Sequence, residues 1–171
     1  YIPHNSFEKL NIPLTISVTN LHTGRNELIC SGDLAQAVMA SSSIPIIFEP
    51  VKIGRHQYVD GGLTLNLPIS CLKRNGRFVV GVNANQICDL ESELTSMRQV
   101  GERCMMIAVQ NTFRDQLDDC HLLINAPEAR TYNTFDFDKA QEIFDLGYEK
   151  GKKAVPEVCA ALGRTQYGIS A

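Results

Sequence analysis

An acidic residue followed by two glycines is the pattern in this sequence that is best suited to chemistry. Asp60 follows the β-rich residues Tyr58 and Val59 and directly precedes Gly61 and Gly62. A strand that ends at Asp60 would deliver its carboxylate onto a backbone that can turn sharply and approach another group closely. Catalytic carboxylates are often presented in this way. Asp-Gly is also a common turn pair, so a tight turn in which Asp60 bonds its own backbone is the competing interpretation.

The residues before Asp60 predict a strand that leads to it. Residues 51–53 and 56–59 are rich in β-forming side chains, and Gly54-Arg55 between them is a candidate two-residue turn. Residues 46–48 are also predicted to be extended. We therefore expect Asp60 to lie at the end of a strand, in a concave surface.

Two further strands and a helix are predicted nearer the N-terminus. Apolar and polar residues alternate over 14–19, which is typical of a strand with two unlike faces. A second strand is predicted at 27–30, after a turn at Thr23-Gly24. Asp33 is expected to cap a short helix over 34–40, because its side chain can accept an unpaired amide hydrogen of the first turn.

Strands and helices continue to alternate along the rest of the chain. Met97, Met105 and Met106 lie in one predicted helix and are expected to fill the core. The alternation favours an α/β layered domain with a mostly parallel central sheet, and no linker or repeat divides residues 1–171. The predicted elements are helices at 69–73 and 93–117, a buried central strand at 78–82, a strand at 121–124, and a last helix that begins near 138.

The composition argues against several classes of function. A formal net charge of -3 gives no basic stripe for nucleic acid. No segment approaches the roughly 20 apolar residues of a membrane span. The four histidines lack metal-ligand spacing, and the six cysteines form no Cys-x-x-Cys, so we expect no metal, no cofactor and buried, reduced thiols. These features favour a cytoplasmic protein.

Four blocks of the sequence, in order, resemble the patatin-like phospholipases, and in particular their bacterial branch. The second and third blocks together are the specific ones. The four blocks lie at residues 12–24, 37–50, 58–68 and 135–148.

The resemblance implies a three-layer α/β fold with a mostly parallel central sheet, and the activity of a lipid acyl hydrolase that uses a Ser-Asp dyad. Asp60 would be the acid of the dyad. Gly61 and Gly62 would let the loop fold against the nucleophile, and Asn66 would hold that loop by side-chain hydrogen bonds. Plain loop geometry is the alternative explanation of these three residues. The implied partner is a lipid or another carboxylic ester, with peripheral contact to a membrane.

The nucleophilic serine of that family stands in a Gly-x-Ser-x-Gly motif, which these residues lack. Ser41, Ser42 and Ser43 have no flanking glycines and are expected to end a helix, and Ser170 is followed only by Ala171. We therefore expect the chain to be the C-terminal portion of the domain, with the serine and the oxyanion donors upstream. The alternative is a non-catalytic patatin-like module, or pseudoenzyme, that acts in binding or regulation.

Overall fold

The chain forms two compact units in a computed structural model. The first comprises Tyr1–Pro68 and Leu90–Asp115, and the second comprises Ile69–Asp89 and Gln116–Ala171. A single domain over residues 1–171 stays a prediction. The structure describes residues 4–72, 78–84, 87, 89–90, 93–114, 116, 120–132 and 136–163.

The first unit is built on a four-stranded antiparallel sheet. Its strands are β1 (Ile16–Asn20), β2 (Arg25–Ile29), β3 (Val51–Ile53) and β4 (His56–Asp60), and their order in the sheet is β2-β1-β4-β3. All four strands were expected, with small shifts at their ends. Short turns join β1 to β2 and β3 to β4, which makes these neighbours antiparallel. Gly54, with a φ of 60°, supplies the left-handed residue in the second turn.

Helix α1 (Leu34–Ser41) packs on this sheet and closes the core of the first unit. Asp33 caps it as predicted, since its carboxylate accepts a hydrogen bond of 2.8 Å from the Gln36 amide. The core is formed by the apolar faces of α1 and β1, with Tyr58 of β4 and a residue from the N-terminal turn. Its buried residues are Phe7, Ile16, Val18, Leu34, Ala37, Ala40 and Tyr58.

The segment between α1 and β3 is a turn, so the prediction of an extended piece at 46–48 was wrong. The amides of Ile47 and Phe48 both donate to the Ile44 carbonyl, at 3.2 and 2.9 Å. Ile46 adopts a φ of 73° inside this turn. These local hydrogen bonds outweigh the β propensity of the two isoleucines, because that propensity depends on strand neighbours that this segment lacks.

Two further helices of the first unit follow β4. Helix α2 (Gly62–Leu65) begins two residues after Asp60, and α3 (Met97–Arg114) lies within the predicted span 93–117, whose last residue is outside the described part of the chain. Met97 and Met106 were expected in the core, but they are 84% and 42% exposed, and Met97 stands at the first position of α3.

The second unit contains a parallel pair of strands, β5 (Val80–Asn83) and β6 (Leu122–Asn125), and helix α4 (Ala140–Ala161). The three elements confirm the predicted order of strand, strand and helix. The predicted helix at 69–73 is a 3-10 turn over Ile69–Cys71, and residue 73 is outside the described part. Helix α4 continues through Pro156.

The fold is thus a mixed α/β arrangement, as predicted, but a mostly parallel central sheet is not confirmed. The larger described sheet is entirely antiparallel, and the parallel pairing is confined to β5 and β6. The expectation of buried cysteines was wrong for the described ones: Cys30 and Cys104 are exposed, and Cys71, Cys120 and Cys159 are partly exposed. Among the described helices, none is both long enough and apolar enough to cross a bilayer.

The core of the first unit can be tested at Val18, whose side chain is fully buried in β1. Val18→Ala removes two buried carbon atoms and leaves a cavity, so we expect it to lower the free energy of unfolding by about 2 kcal/mol. Val82→Ala is the matched control, because Val82 also lies in a strand but is 61% exposed. Urea unfolding measures both. Equal losses in the two variants would show that Val18 is not a core residue.

Candidate active site

Asp60 is the last residue of β4, which confirms that a strand delivers it. Its register partner in β1 is Val18. The Asp60 amide donates to the Ser43 carbonyl at 3.0 Å, and the Asp60 carbonyl accepts from the Thr19 hydroxyl at 2.9 Å. The backbone of Asp60 is therefore fixed on both sides by groups far away in the sequence. Its side chain is half-buried.

The carboxylate of Asp60 bonds the turn that follows it. The Gly62 amide donates to Asp60 Oδ1 at 2.7 Å, which is the local bond that the turn interpretation predicts. The same bond orients the carboxylate and leaves Oδ2 as its second acceptor. The turn interpretation and the interpretation as a presented carboxylate are therefore compatible, because the same hydrogen bond closes the turn and orients the carboxylate.

Position 61 requires a glycine because Ser17 lies so close to it, and not because of the backbone angles of Gly61. Its φ of -65° is open to any residue. A Cβ atom at this position, however, would lie 2.5 Å from the Ser17 carbonyl carbon and closer still to the Ser17 oxygens. Gly62 is less crowded, since its Cβ would meet Asn66 Oδ1 at 3.0 Å and Asp60 Oδ1 at 3.1 Å. The first glycine therefore lets the loop cross directly over β1.

Helix α3 holds the loop through Thr112, a residue that the sequence did not single out for the site. The Asn66 amide donates to Thr112 Oγ1 at 3.2 Å, and the Thr112 hydroxyl lies 3.2 Å from the Gly62 carbonyl and 2.8 Å from that of Val109. Asn66 is thus held through its backbone, and the expected role of its side chain stays a prediction. Thr112 is 46 residues from Asn66, so no local pattern could reveal this contact.

A buried polar cluster ties together the strands just before Asp60. The Tyr58 hydroxyl donates to Glu27 Oε2 at 2.9 Å, and Asn20 Nδ2 donates to Glu27 Oε1 at 2.7 Å. Burial and the neighbouring Glu27 carboxylate raise the pKa of Tyr58. Because Asn20, Glu27 and Tyr58 belong to β1, β2 and β4, the cluster fixes the sheet that presents Asp60.

Burial raises the pKa of Asp60 above its ordinary value, and the hydrogen bond from the Gly62 amide opposes this effect in part. A carboxylate with a raised pKa is a stronger base than an exposed one. An effective general base has a pKa near the working pH, so the shift is in the direction that favours catalysis.

The serines near Asp60 are engaged in ending α1, as the sequence predicts. The Ser42 hydroxyl donates to the Val38 carbonyl at 2.9 Å, and the Ser43 hydroxyl donates to the Met39 carbonyl at 2.8 Å. Both hydroxyls therefore satisfy helix carbonyls. Among the described residues, no group of three or more histidines, cysteines and acids is placed to hold a metal ion.

The close approach at Gly61 can be tested by adding a single methyl group. We expect Gly61→Ala to lower the free energy of unfolding by about 2 kcal/mol or more, because the new Cβ overlaps the Ser17 backbone. Gly147→Ala in α4 is the control: nothing lies within 4 Å of its Cβ position, so it should stabilise the helix by about 0.5–1 kcal/mol. Denaturant unfolding of a Gly61→Ala variant as stable as the parent would contradict the observed packing.

The raised pKa of Asp60 predicts a pH-dependent stability. The folded state holds the Asp60 proton to a higher pH than the unfolded state does. Its contribution to stability is therefore complete below the ordinary pKa of about 3.9 and is lost as the pH rises through the raised pKa. Asp60→Asn does not titrate, so at pH 7 it should be at least as stable as the parent, and the difference should shrink toward acid pH.

Urea midpoints at neutral and acid pH measure this difference, with Asp145→Asn on the exposed side of α4 as the control for exchanging a carboxylate for an amide. If Asp60→Asn is less stable than the parent at pH 7 and equal to it in acid, then the fold stabilises the charged form of Asp60.

Comparison with protein families supports the resemblance over the first part of the chain. Residues 1–72 match the model of the family described as Patatin-like phospholipase. The match contains three of the four similar blocks, whereas the block at 135–148 lies outside it. The bacterial branch stays a prediction. Residues 1–72, which carry Asp60 and the two glycines after it, are therefore similar to the patatin-like phospholipase family.

Proposed function

We propose that the protein is a lipid acyl hydrolase in which Asp60 is the base of a Ser-Asp dyad. Its serine would lie on a segment outside these 171 residues. The family of residues 1–72 implies hydrolysis of lipid esters in general. The assignment of the base to Asp60 is supported by its geometry.

One observation carries the proposal: a half-buried carboxylate of raised pKa ends a strand and is held at Oδ1 by the amide two residues later. A structural turn aspartate needs only the hydrogen bond to Gly62. The burial of Asp60 adds a cost to ionisation that a turn does not require, and perturbed carboxyl groups of this kind are common in active sites.

In the proposed reaction, Asp60 accepts the proton of the serine hydroxyl as the serine oxygen attacks the ester carbonyl. Since Gly62 donates to Oδ1, the second oxygen, Oδ2, would be the one that receives this proton. The protonated carboxyl then donates to the departing alcohol oxygen as the acyl-enzyme forms. A water molecule attacks the acyl-enzyme with the same carboxylate as base, which releases the acid and restores the serine.

A carboxylate base favours esters over amides in this scheme. An ordinary Asp carboxylate is a weaker base than imidazole and, once protonated, a stronger acid. An alkoxide leaving group tolerates such a partner better than an amine does. Donors to the tetrahedral oxyanion would supply the larger part of the rate, and in our proposal they accompany the serine.

The test is Asp60→Asn in the full-length native protein, assayed with a short-chain nitrophenyl ester. Because an amide cannot accept the serine proton, we expect kcat/KM to fall by about 100- to 10,000-fold, within the range of general-base catalysis. Asp145→Asn, which changes an exposed acid of α4, should keep the parental rate. Parental turnover in Asp60→Asn would show that another residue is the base.

A fluorophosphonate label locates the nucleophile in the same protein. We expect one labelled serine, outside residues 1–171. Stoichiometric labelling of Ser41, Ser42 or Ser43 would overturn this placement. At Ser42 or Ser43 it would also require the hydroxyl to leave its helix carbonyl. Absence of both labelling and turnover would favour the non-catalytic patatin-like module.

A further inference from the structure

The strand β1 sends two hydroxyl groups toward the loop after Asp60. Ser17 and Thr19 lie two residues apart, and neither is a member of the proposed dyad. Ser17 Oγ lies 3.1 Å from the Leu65 carbonyl, and Thr19 Oγ1 lies 2.9 Å from the Asp60 carbonyl and 2.8 Å from Thr64 Oγ1. Two hydroxyls on one face of β1 thus bond the loop on both sides of Gly61 and Gly62, at Asp60 before them and at Leu65 after them.

The direction of these hydrogen bonds follows from counting protons. A threonine hydroxyl has one hydrogen, and that of Thr19 is used by the Asp60 carbonyl, which can only accept. The Thr64 hydroxyl must therefore be the donor to Thr19 Oγ1. The result is a directed chain from Thr64 through Thr19 to the Asp60 carbonyl.

A second chain runs parallel to the first. Asn26 Nδ2 on β2 donates to Ser17 Oγ at 2.8 Å and to the Val18 carbonyl at 3.2 Å. The Ser17 hydroxyl in turn donates to the Leu65 carbonyl. Helix α2 is thereby held to the sheet at Thr64 and Leu65, which are the residues whose amides bond the Gly61 carbonyl.

Thr19 is the central member of the first chain and is 2% exposed. Removal of its hydroxyl would take this partner from two partly buried groups, the Asp60 carbonyl and the Thr64 hydroxyl. Buried polar groups seldom remain unpaired, so the loop would shift to find other partners. A shift of the Asp60 backbone also moves the carboxylate, because the carboxylate is attached to this backbone and bonds the Gly62 amide of the same loop.

We propose that Thr19 is a positioning residue for Asp60, acting by a hydrogen-bond chain that joins Thr64, Thr19 and the Asp60 carbonyl. The inference rests on the proposed function, since it concerns the placement of the base and not the chemistry itself. Thr19 does not touch the reacting atoms. Its effect should therefore appear in the rate of the chemical step and not in substrate binding.

The experiment compares Thr19→Val and Thr19→Ser in the full-length native protein with the same nitrophenyl ester. Thr19→Val keeps the shape of the side chain but lacks the hydroxyl, so we expect kcat to fall by about 10- to 100-fold with KM within about threefold of the parent, because small misplacements of catalytic groups cost this much. Thr19→Ser restores the hydroxyl and should restore kcat. Thr23→Val, at an exposed turn, is the matched control and should keep parental kinetics.

A double-mutant cycle with Thr64→Val tests the chain itself. If the chain acts as one unit, the double variant should lose no more kcat than Thr19→Val does alone. If the losses of kcat in the two single variants add in the double variant, the two hydroxyls do not act through one hydrogen-bond chain, and the inference is wrong. If Thr19→Val fails to fold, Thr64→Val and Thr64→Ser decide instead: a loss of kcat in the first that the second restores supports the inference, and parental kcat in both overturns it.

Asp60→Asn, assayed in parallel, separates this inference from the proposed function. An inactive Asp60→Asn together with a parental kcat in Thr19→Val overturns the positioning role alone. An active Asp60→Asn overturns both, because Thr19 would then have no base to position.

Discussion

The close approach of the Gly61 backbone to Ser17 is the constraint on which the site depends. Pairing between β1 and β4 reaches Val18 and Asp60, and the next residue must then cross over β1 where a Cβ atom has no room. The crossing brings α2 against the polar face of β1. The hydroxyls of Ser17 and Thr19 can bond this loop only because Gly61 lets it come so near.

The burial that favours Asp60 as a base also lowers the stability of the folded protein when Asp60 is charged. Burial makes the carboxylate a better base, but it also makes the charged form less favourable in the folded state. The neighbouring residues offset this cost, since Val18 and Val59 are almost fully buried beside it and each contributes about 1.5–3 kcal/mol. The apolar strands are thus what allows a perturbed carboxylate to persist at their ends.

Local signals in the sequence predicted the elements that carry Asp60. The cap at Asp33, the turn at Gly54 and the strand end at Asp60 each depend on residues within a few positions, and all three are present. The contacts that fix the site are not local. Thr19 meets Asp60 across 41 residues, and Thr112 meets Gly62 across 50, so only the folded sheet and helix reveal them.

The errors have a related cause. Propensity alone predicted extended residues at 46–48, but hydrogen bonds to the Ile44 carbonyl select a turn. The methionine at position 97 fitted the helical period, but the helix begins at that residue and leaves it exposed. Alternation of strands and helices favoured a mostly parallel sheet, which is not confirmed, because short turns between neighbouring strands make the larger described sheet antiparallel. In each case the structural feature that decides the outcome is not encoded in the local sequence pattern on which the prediction was based.

Ile46 shows how firmly the surroundings hold Asp60 in place. A β-branched residue at a φ of 73° is strained by about 1–3 kcal/mol, and such strain persists only where the neighbouring structure fixes the backbone. Two hydrogen bonds from backbone amides to the Ile44 carbonyl close the turn, and the Ile46 side chain packs over Gly101 of α3. Ser43, directly before this turn, accepts the Asp60 amide. The Asp60 backbone is therefore held at its amide by the Ser43 carbonyl, which adjoins the strained turn, and at its carbonyl by Thr19. A proton acceptor must be placed to within about 0.5 Å, and two anchors, one on the amide and one on the carbonyl of the same residue, provide this more reliably than either could alone.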